Sequence, residues 1–551
     1  MDDSRVGRAR IAFNTRAWRR AYDELSAASV DEALEVDDLE RLASAAYLAG
    51  LDEESQAAWI TAHEASANVG DVARAARCAF WLAFSLLNSG HLARGGGWID
   101  RALRLLDDRR IECVERGYLR YASAMRATFS GNISAGYDAF HAAVEIGTLF
   151  RDAQLVALAR IGEGRCLIHL GRIDDGLALL DEGIVAIESH DVSAIAVGDA
   201  YCTVIDGCNE LMDIERTRAW TISLGRWVDD QPELMLYRGQ CLLHRAEAML
   251  LRGDWDAAIE QLEQLATRVA RPPGRGIRGA AAYLTGELHR LRGRDHDAAV
   301  EYQRAGELGR DPQPGLALLR LAEGNVQAAA AAIRRAYREA GDSTARAQLA
   351  PGFVEVALAA GDVTAARSAV AELADVAEKL GTPLPESLHL TALGSVLLAE
   401  GQLSAALTAL RAALRIWHEL EAPYEAARTR VVIAAGCQAA GDLEGAEMEL
   451  AAARHIFTRL GAVRAERDAN ARLSQIDPQS GVLTRREEEV LAHIAQGLTN
   501  RQIAKQLTIS EKTAATHVTH ILTKLGLPTR SAATAYAFEH GLTVSHQRPK
   551  R

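Results

Sequence analysis

A glycine recurs about every forty residues along most of this chain of 551 residues, and few folds are compatible with such a period. Each of these glycines follows an apolar stretch rich in helix-forming residues. They are Gly50, Gly90, Gly131, Gly171, Gly253, Gly293, Gly324, Gly361, Gly401 and Gly441, and the one skipped place falls near Asp213. Self-similarity at a fixed period of this length is typical of a helical solenoid.

The residues around these glycines explain the period. The segments are GDWDAAI (253–259), GRDHDAAV (293–300), GDVTAAR (361–367), GQLSAAL (401–407) and GDLEGAE (441–447). Glycine can take the left-handed conformation that ends a helix, and the polar residue after it can cap the next helix. A pair of small residues then lets two antiparallel helices approach closely. The pattern predicts an all-α solenoid of helical hairpins, similar to tetratricopeptide repeats, with a concave surface.

Two proline-containing segments interrupt the rhythm. The segment 271–274 (RPPG) lengthens one loop, and the segment 311–315 (DPQPG) precedes an interval of only 31 residues, which predicts a truncated helix. Each segment is either a tolerated loop variant or a hinge. A polar stretch near residues 475–481 then separates the repeats from a different kind of sequence. We therefore expect a TPR-like array over residues 1–472, a linker over 473–481 and a C-terminal domain over 482–551.

Charge is distributed unevenly between these parts. The whole chain has a net charge of −12, but from Val482 onward ten basic residues stand against five acidic ones. The C-terminal segment is therefore basic and the array is acidic, and four of the five lysines lie in the basic segment. A basic segment on an acidic chain indicates contact with phosphates, although solvated surface charge alone can produce such a cluster.

The C-terminal segment predicts four short helices. Thr484 with Glu487, and Thr499 with Gln502, have the spacing of capping boxes that open two helices. A tight turn at residues 508–509 leads to Ser510, which can cap a third helix ending near Leu525. One face of that helix is apolar, and the opposite face carries small polar residues flanked by cations. Two short helices joined by a tight turn, the second with such a face, are suited to the major groove of DNA.

These residues resemble the LuxR-type helix-turn-helix domain over about 60 residues. The resemblance is carried by LTRREEEVL (483–491), GLTNRQIA (497–504), ISEKT (509–513), His517 with Val518, and ILTKLG (521–526). The repeat region is similar, more diffusely, to the long N-terminal parts of helical-repeat LuxR regulators. The resemblance implies a third helix that enters the major groove of double-stranded DNA and a fourth that supports a homodimer. The expected DNA-binding residues are Asn500, Arg501, Lys512, Thr513, Ala515, Thr516, His517, Thr519, His520 and Lys524.

The resemblance also implies a division of work within this set. Ala515, Thr516 and Thr519 would face base edges, while Arg501, Thr513, His517 and Lys524 would reach phosphates. The family usually has Val where Ala514 stands, and Lys or Arg at one or more of the three base-facing places. A bidentate cation contact to guanine is therefore missing from the centre of the helix. We expect weaker direct readout and more reliance on phosphate contacts and DNA shape.

Several other functions lack their signatures in the sequence. The chain has no Gly-Lys step, which the phosphate-binding loop GxxxxGK[ST] requires, so we expect no response to ATP. No nucleophile, base and orienting group are placed together, so the chain is not expected to be an enzyme, and no cofactor or metal is expected. Seven scattered cysteines are typical of buried, reduced thiols. With no signal peptide and no membrane-spanning run, we expect a cytoplasmic protein without membrane contact.

The sequence leaves the role of the array open. Most of the eight tryptophans are expected to pack in the core, but a ligand pocket could lie between Cys202 and Trp255. Its candidate lining residues are Trp220, Trp227, Tyr237, Trp255, Met212 and Met235. The leading hypothesis is a sequence-specific transcriptional regulator whose array senses a small-molecule or protein effector and whose output involves RNA polymerase. The alternative is a protein-interaction scaffold that does not read DNA.

Overall fold

A computed structural model describes residues 4–189, 192–231, 233–268, 275–476, 483–539 and 542, and every regular element in these ranges is a helix. The first half of the array contains α1 (Arg5–Asn14), α2 (Trp18–Asp31), α3 (Val36–Leu48), α4 (Asp52–Asn68), α5 (Val72–Asn88), α6 (Leu92–Asp108), α7 (Glu115–Phe129), α8 (Ile133–Phe150), α9 (Ala153–His169), α10 (Ile173–Ser189), α11 (Ala194–Glu210) and α12 (Ile214–Asp229).

The second half of the array continues in the same manner. Its helices are α13 (Arg238–Arg252), α14 (Trp255–Arg268), α15 (Arg275–Leu291), α16 (Asp295–Glu307), α17 (Gly315–Ala322), α18 (Val326–Glu339), α19 (Ser343–Ala359), α20 (Val363–Leu380), α21 (Pro383–Ala399), α22 (Leu403–Glu419), α23 (Pro423–Ala439), α24 (Leu443–Leu460) and α25 (Val463–Ile476). Most successive helices are joined by about three residues and pack side by side, which gives the predicted TPR-like solenoid of hairpins.

The recurring glycines do end helices. All ten have positive φ angles, between 72° and 84°, in the left-handed region where glycine avoids the steric penalty of a side chain. At the skipped place Met212 adopts the same conformation, with a φ of 53°. The turns midway between these positions use it too, at Gly70, Gly309, Gly381, Arg110, Arg151 and Glu421, and so do the turns at Arg16 before the series and Gly461 after it. The chain therefore reverses about every twenty residues through one recurring turn.

A small buried residue stands five positions after each recurring glycine. This place is fully buried at Ser55, Ala258, Ala298, Ala329, Ala366, Ala406 and Ala446, and it is a buried glycine at Gly95, Gly136 and Gly176. At Gly176 the reason is direct contact between helices, because an added Cβ would lie 2.6 Å from the carbonyl oxygen of Gly164 in α9. The small pair predicted from the sequence is thus the point where the two helices of a hairpin meet.

Helix capping follows the prediction at some turns only. The side chains of Asp362 and Asp442 accept hydrogen bonds from backbone N–H groups in the first turn of α20 and α24. Arg294 and Gln402, at the equivalent places, make no such bond, so the capping predicted there is wrong. Arginine lacks an acceptor oxygen, and the glutamine side chain is longer than those that usually cap a helix.

The proline-containing segments have different outcomes. After the segment 311–315, α17 has only eight residues, which confirms the predicted truncation. Gln313 is buried there, and its side-chain oxygen accepts a hydrogen bond from the backbone N–H of Ala317 at 3.1 Å. Residues 271–274, the other candidate hinge, lie outside the described residues. The last helix of the array, α25, ends at Ile476. Residues 473–476, which the sequence analysis assigned to the linker, are therefore helical.

The array winds into a superhelix whose first turn closes on itself. The backbone N–H of Met235 donates to the carbonyl of Leu48 at 2.9 Å, and the Trp18 indole donates to Gln231 at 3.2 Å. A later closure joins α15 and α16 to α25, where Arg464 pairs with Asp295 and donates to the carbonyl of Ala322. The first turn thereby encloses a central space.

The C-terminal segment folds into four helices: α26 (Arg485–Ala495), α27 (Asn500–Leu507), α28 (Glu511–Lys524) and α29 (Arg530–Glu539). Their shared core contains the apolar residues predicted from the sequence. Those buried in it are Leu483, Val490, Leu491, Ile494, Ala495, Ile503, Ala504, Ala514, Val518, Ile521, Ala533 and Ala537. In the described parts of the chain, no helix is long and apolar enough to cross a membrane.

Candidate nucleic-acid interface

Local capping places the two helices that form the interface. Both predicted capping boxes are present, Thr484 with Glu487 at the start of α26 and Thr499 with Gln502 at the start of α27. Thr508 then takes the left-handed conformation, with a φ of 56°, and turns the chain. The Ser510 side chain accepts from the N–H of Thr513 at 3.0 Å and starts α28. The starts of these helices are therefore defined by contacts between residues three positions apart.

Helix α28 has the two faces that the sequence predicted. Its inward face buries Ala514, Val518 and Ile521 against the core. Seven of the ten expected DNA-binding residues are exposed: Arg501, Lys512, Thr513, Thr516, Thr519, His520 and Lys524. The other three, Asn500, Ala515 and His517, are partly buried. Apart from Asn500 and Arg501, which open α27, the whole set lies on α28.

The threonine hydroxyls of α28 are engaged with their own helix. Thr516 donates to the carbonyl of Lys512 at 3.0 Å, Thr519 to that of Ala515 at 3.1 Å, and Thr523 to that of Thr519 at 2.9 Å. Each hydroxyl proton is thereby used, but each hydroxyl oxygen keeps lone pairs and each side chain keeps its methyl group. The threonines on the outer face of α28 therefore offer acceptors and methyl groups rather than donors.

Lys524 has a role that the sequence did not indicate. Its ammonium group lies 2.6 Å from a carboxylate oxygen of Glu487, whose side chain is only 4% exposed. The same carboxylate accepts from the backbone N–H and the hydroxyl of Thr484. Burial raises the pKa of Glu487, but the hydrogen bonds from Lys524 and Thr484 outweigh burial and hold the pKa below its usual value. Lys524 thus ties the end of α28 to the start of α26.

Asn500 is also held within the domain. Its side-chain oxygen accepts from the Arg530 guanidinium at 2.7 Å, and the same guanidinium donates to the carbonyl of Leu498 at 2.5 Å. Arg486 acts in a comparable way, because it donates to the carbonyl of Leu507 at the end of α27. Arg501 and Lys512, from the expected set, are exposed on α27 and α28, and so is Lys505, which the sequence analysis did not include.

The array contains a cavity near the pocket predicted from the sequence, but with different walls. Its volume is about 1050 Å³, and it lies inside the first superhelical turn. Met235 and Tyr237 line it as predicted, whereas Met212, Trp220, Trp227 and Trp255 do not. Trp255 and Met212 are instead buried in separate packing clusters. The predicted lining was wrong at these four positions because the cavity is formed by helices far apart in sequence.

The cysteines and the potential metal ligands form no further candidate site among the described residues. The seven cysteines are free thiols, of which Cys78, Cys166, Cys208, Cys241 and Cys437 are buried. In the described ranges, no group of three or more His, Cys, Asp or Glu side chains could hold a metal ion.

Comparison with known proteins identifies a family for the C-terminal segment. A family model described as "Bacterial regulatory proteins, luxR family" matches residues 481–537. The chain is 48% identical over 60 residues to an uncharacterized transcriptional regulatory protein, YhcZ, of Bacillus subtilis (strain 168). It is 48% identical over 61 residues to the response regulator protein VraR of Staphylococcus aureus. These matches cover 11% of this chain and 28% and 29% of the relatives, so the chain spans less than a third of their length.

Two solved structures align with the chain at low similarity. The Cut9–Hcn1 hetero-tetramer of APC/C aligns with 84% of this chain and 95% of that chain, at 14% identity and a TM-score of 0.34. A Rap protein complexed with competence and sporulation factor aligns with 59% of this chain and 98% of that chain, at 12% identity and a TM-score of 0.39. The family match over residues 481–537 and the capped four-helix geometry agree with each other: the C-terminal segment contains a helix-turn-helix domain of the luxR family of bacterial regulatory proteins.

Proposed function

We propose that the chain is a sequence-specific DNA-binding transcriptional regulator that reads the major groove with α28. The observation that carries the proposal is the outer face of α28, where Lys512, Thr516 and Thr519 are exposed opposite a buried apolar face. The geometry of a capped helix behind a tight turn is that of a recognition helix, whose N-terminal half meets base edges. A regulator of this kind acts in the cytoplasm, where bacterial DNA lies.

The chemistry of α28 favours particular bases. Because the protons of Thr516 and Thr519 are donated to the helix backbone, their oxygens are left to accept from the amino groups of adenine or cytosine. The threonine methyl groups and Ala515 suit the methyl group of thymine. No arginine or lysine stands at these three places to bind guanine in a bidentate manner. We therefore expect modest direct readout, with sequence-dependent DNA shape supplying part of the specificity.

Phosphate contacts supply most of the affinity in this proposal. Arg501 and Lys512 are exposed at the starts of α27 and α28, where the backbone N–H groups of a helix also favour anions. Thr513 and His517 follow on α28, and in this proposal they contact phosphates of the DNA strand that Lys512 meets. Asn500 and Lys524, engaged with Arg530 and Glu487, act chiefly by holding the helices in place.

The array has the complementary role of sensing. We propose that its superhelix binds an effector or a partner protein and that this binding controls a homodimer formed on DNA, with RNA polymerase as the downstream partner. The cavity of about 1050 Å³ supports a small-molecule effector, because ligand pockets are concave and of comparable size.

Separate binding measurements on the two parts test this proposal. A fragment of residues 475–551 should shift duplex DNA of genomic origin in a gel, whereas a fragment of residues 1–476 should not. The luxR-type domain predicts this division because its recognition helix and exposed cations lie wholly in the first fragment. If neither the C-terminal fragment nor the full chain binds duplex DNA in low salt, the alternative of a protein-interaction scaffold is favoured instead.

A further inference from the structure

The cavity of the first superhelical turn is bounded by contacts between distant parts of the chain. The Met235–Leu48 backbone bond and the Trp18–Gln231 bond join the segment before α13 to α2 and α3. The cavity between them is lined by α3, α7, α9, α11 and the start of α13, among other elements. A space of about 1050 Å³ is large enough for a small organic ligand.

Aromatic and sulfur-containing side chains form much of the wall. Tyr47, Tyr121, Phe140 and Tyr237 line the cavity from four different elements, together with Met235. The rings of Tyr121 and Phe140 pack edge to face, with centroids 5.3 Å apart. Ring faces of this kind bind flat apolar groups and also attract cations.

The floor of the cavity is acidic. Asp199, Cys202, Thr203 and Asp206 follow one another at helical spacing, so α11 presents all four on a single face to the cavity. The two carboxylates are seven residues apart, or about 10 Å along the helix axis. Tyr121 donates a hydrogen bond to Asp199 at 3.1 Å, and Gln240 donates one to Asp206 at 3.2 Å. Both donors are neutral.

The charges around this floor do not balance within the cavity. Four carboxylates line it, on Asp52, Asp199, Asp206 and Glu233, against the guanidinium groups of Arg19 and Arg165 and the imidazole of His169. Both guanidinium groups pair with carboxylates outside the lining, Arg19 with Asp23 at 3.0 Å and Arg165 with Glu210. Burial raises the pKa of Asp199 to about 7, and the charge that acts on this pKa among the described residues is that of another carboxylate, Asp206.

We propose that this cavity binds an organic cation, an amine with an aromatic or apolar body. The ammonium group lies against Asp199 and Asp206 on α11, and the body packs between the aromatic rings. An anionic ligand would meet the same carboxylates, and the lining guanidinium that acts on Asp206, that of Arg165, is already paired with Glu210. This inference deepens the proposed sensing role, on which it rests, by naming the class of effector.

Calorimetric titration of the full chain without DNA tests the inference. The probes are tryptamine, phenethylamine and spermidine, with indole-3-acetate and phenylacetate as acids of matched body and opposite charge. At least one amine should bind saturably, and neither acid should. Asp199→Asn should weaken amine binding roughly tenfold or more, which corresponds to about 1.4 kcal/mol. Asp174→Asn, an exposed position of α10 outside the cavity lining, should leave it unchanged.

Asp206→Asn provides a second test if the Asp199 variant loses its helix content by circular dichroism. Equal binding of the matched acids, absence of binding by all three amines, or unchanged amine affinity in both aspartate variants would each overturn the inference. Because the titration contains no DNA, such a result leaves DNA binding by the C-terminal domain intact, and a failure of DNA binding leaves the cavity result intact.

Discussion

Replacing Lys524 with alanine tests the support that this residue gives to the helix-turn-helix domain. In the structure its ammonium group is 2.6 Å from the Glu487 carboxylate, which lies buried at the start of α26. Removal of the lysine leaves that carboxylate with Thr484 as its remaining hydrogen-bond partner among the contacts described. We therefore expect Lys524→Ala to destabilise the helix-turn-helix domain before any DNA is present.

The magnitude follows from the burial of the two partners. Breaking a fully buried ion pair by removing one member costs about 3–5 kcal/mol. The Lys524 side chain is 40% exposed, so solvent screens part of the interaction, and an exposed pair is worth about 1 kcal/mol or less. We expect a loss of about 1–3 kcal/mol. In hydrogen exchange governed by opening of the domain, this loss accelerates exchange roughly 5- to 150-fold.

Hydrogen-exchange mass spectrometry of the full chain at pH 7 measures this effect in peptides that cover residues 485–539. Lys505→Ala, an exposed lysine of α27, is the matched control and should leave exchange nearly unchanged. The difference should shrink in acid, because a carboxylate with a lowered pKa stabilises the fold above its ordinary pKa and loses that contribution as the pH falls through the lowered value. Equal exchange in the two variants at pH 7 would refute the structural role.

Three further predictions concern the turns, the cavity and the recognition helix. An added Cβ at Gly90 (φ 80°) meets no atom within 4 Å, so Gly90→Ala should lower the free energy of unfolding by about 1–2 kcal/mol through backbone strain alone. Arg110→Gly (φ 51°) should raise the free energy of unfolding by a comparable amount. Denaturation curves with the opposite signs would contradict this. Because burial raises the pKa of Asp199 to about 7, the folded chain holds this proton more tightly than the unfolded chain. The free energy of unfolding should therefore fall as the pH rises from about 4 to about 7, and a slope unchanged in Asp199→Asn would exclude this cause. In selection of preferred DNA sites, Thr516→Arg should add a preference for guanine worth about 1–3 kcal/mol. Ala514→Val, at a buried position, should leave the preferred bases unchanged. The reverse result would mean that the helix presents a different face to the DNA.

Local signals explain how much of the fold was predictable. A glycine in the left-handed conformation is visible in the sequence, and so is a small residue five positions later, so the period of the array could be read directly. The turns at Arg110, Arg151, Met212 and Glu421 adopt the same backbone conformation without glycine. No residue type marks them, because packing of the flanking helices overrides the local preference. The sequence therefore indicated every second turn of the array more clearly than the rest.

The helix-turn-helix domain and the cavity of the array show the same difference between short-range and long-range contacts. The capping boxes and the face of α28 depend on residues three or four positions apart, and their prediction from the sequence was confirmed. The pairs Lys524–Glu487 and Asn500–Arg530 join residues 37 and 30 positions apart, and no spacing rule reveals them. The cavity depends on closure of a whole superhelical turn, which is why a cluster of nearby aromatic residues gave most of the wrong lining.

The salt dependence of DNA binding by the full chain tests the central claim most directly. Selected duplex sites should be bound with an affinity that falls linearly on a plot of log K against log salt, because exposed cations such as Arg501 displace counterions from phosphates. Arg501→Ala should weaken binding to all sequences and flatten the slope by about 0.9. Absence of duplex binding at low salt, or an affinity independent of salt, would contradict the account of the C-terminal domain as a reader of DNA.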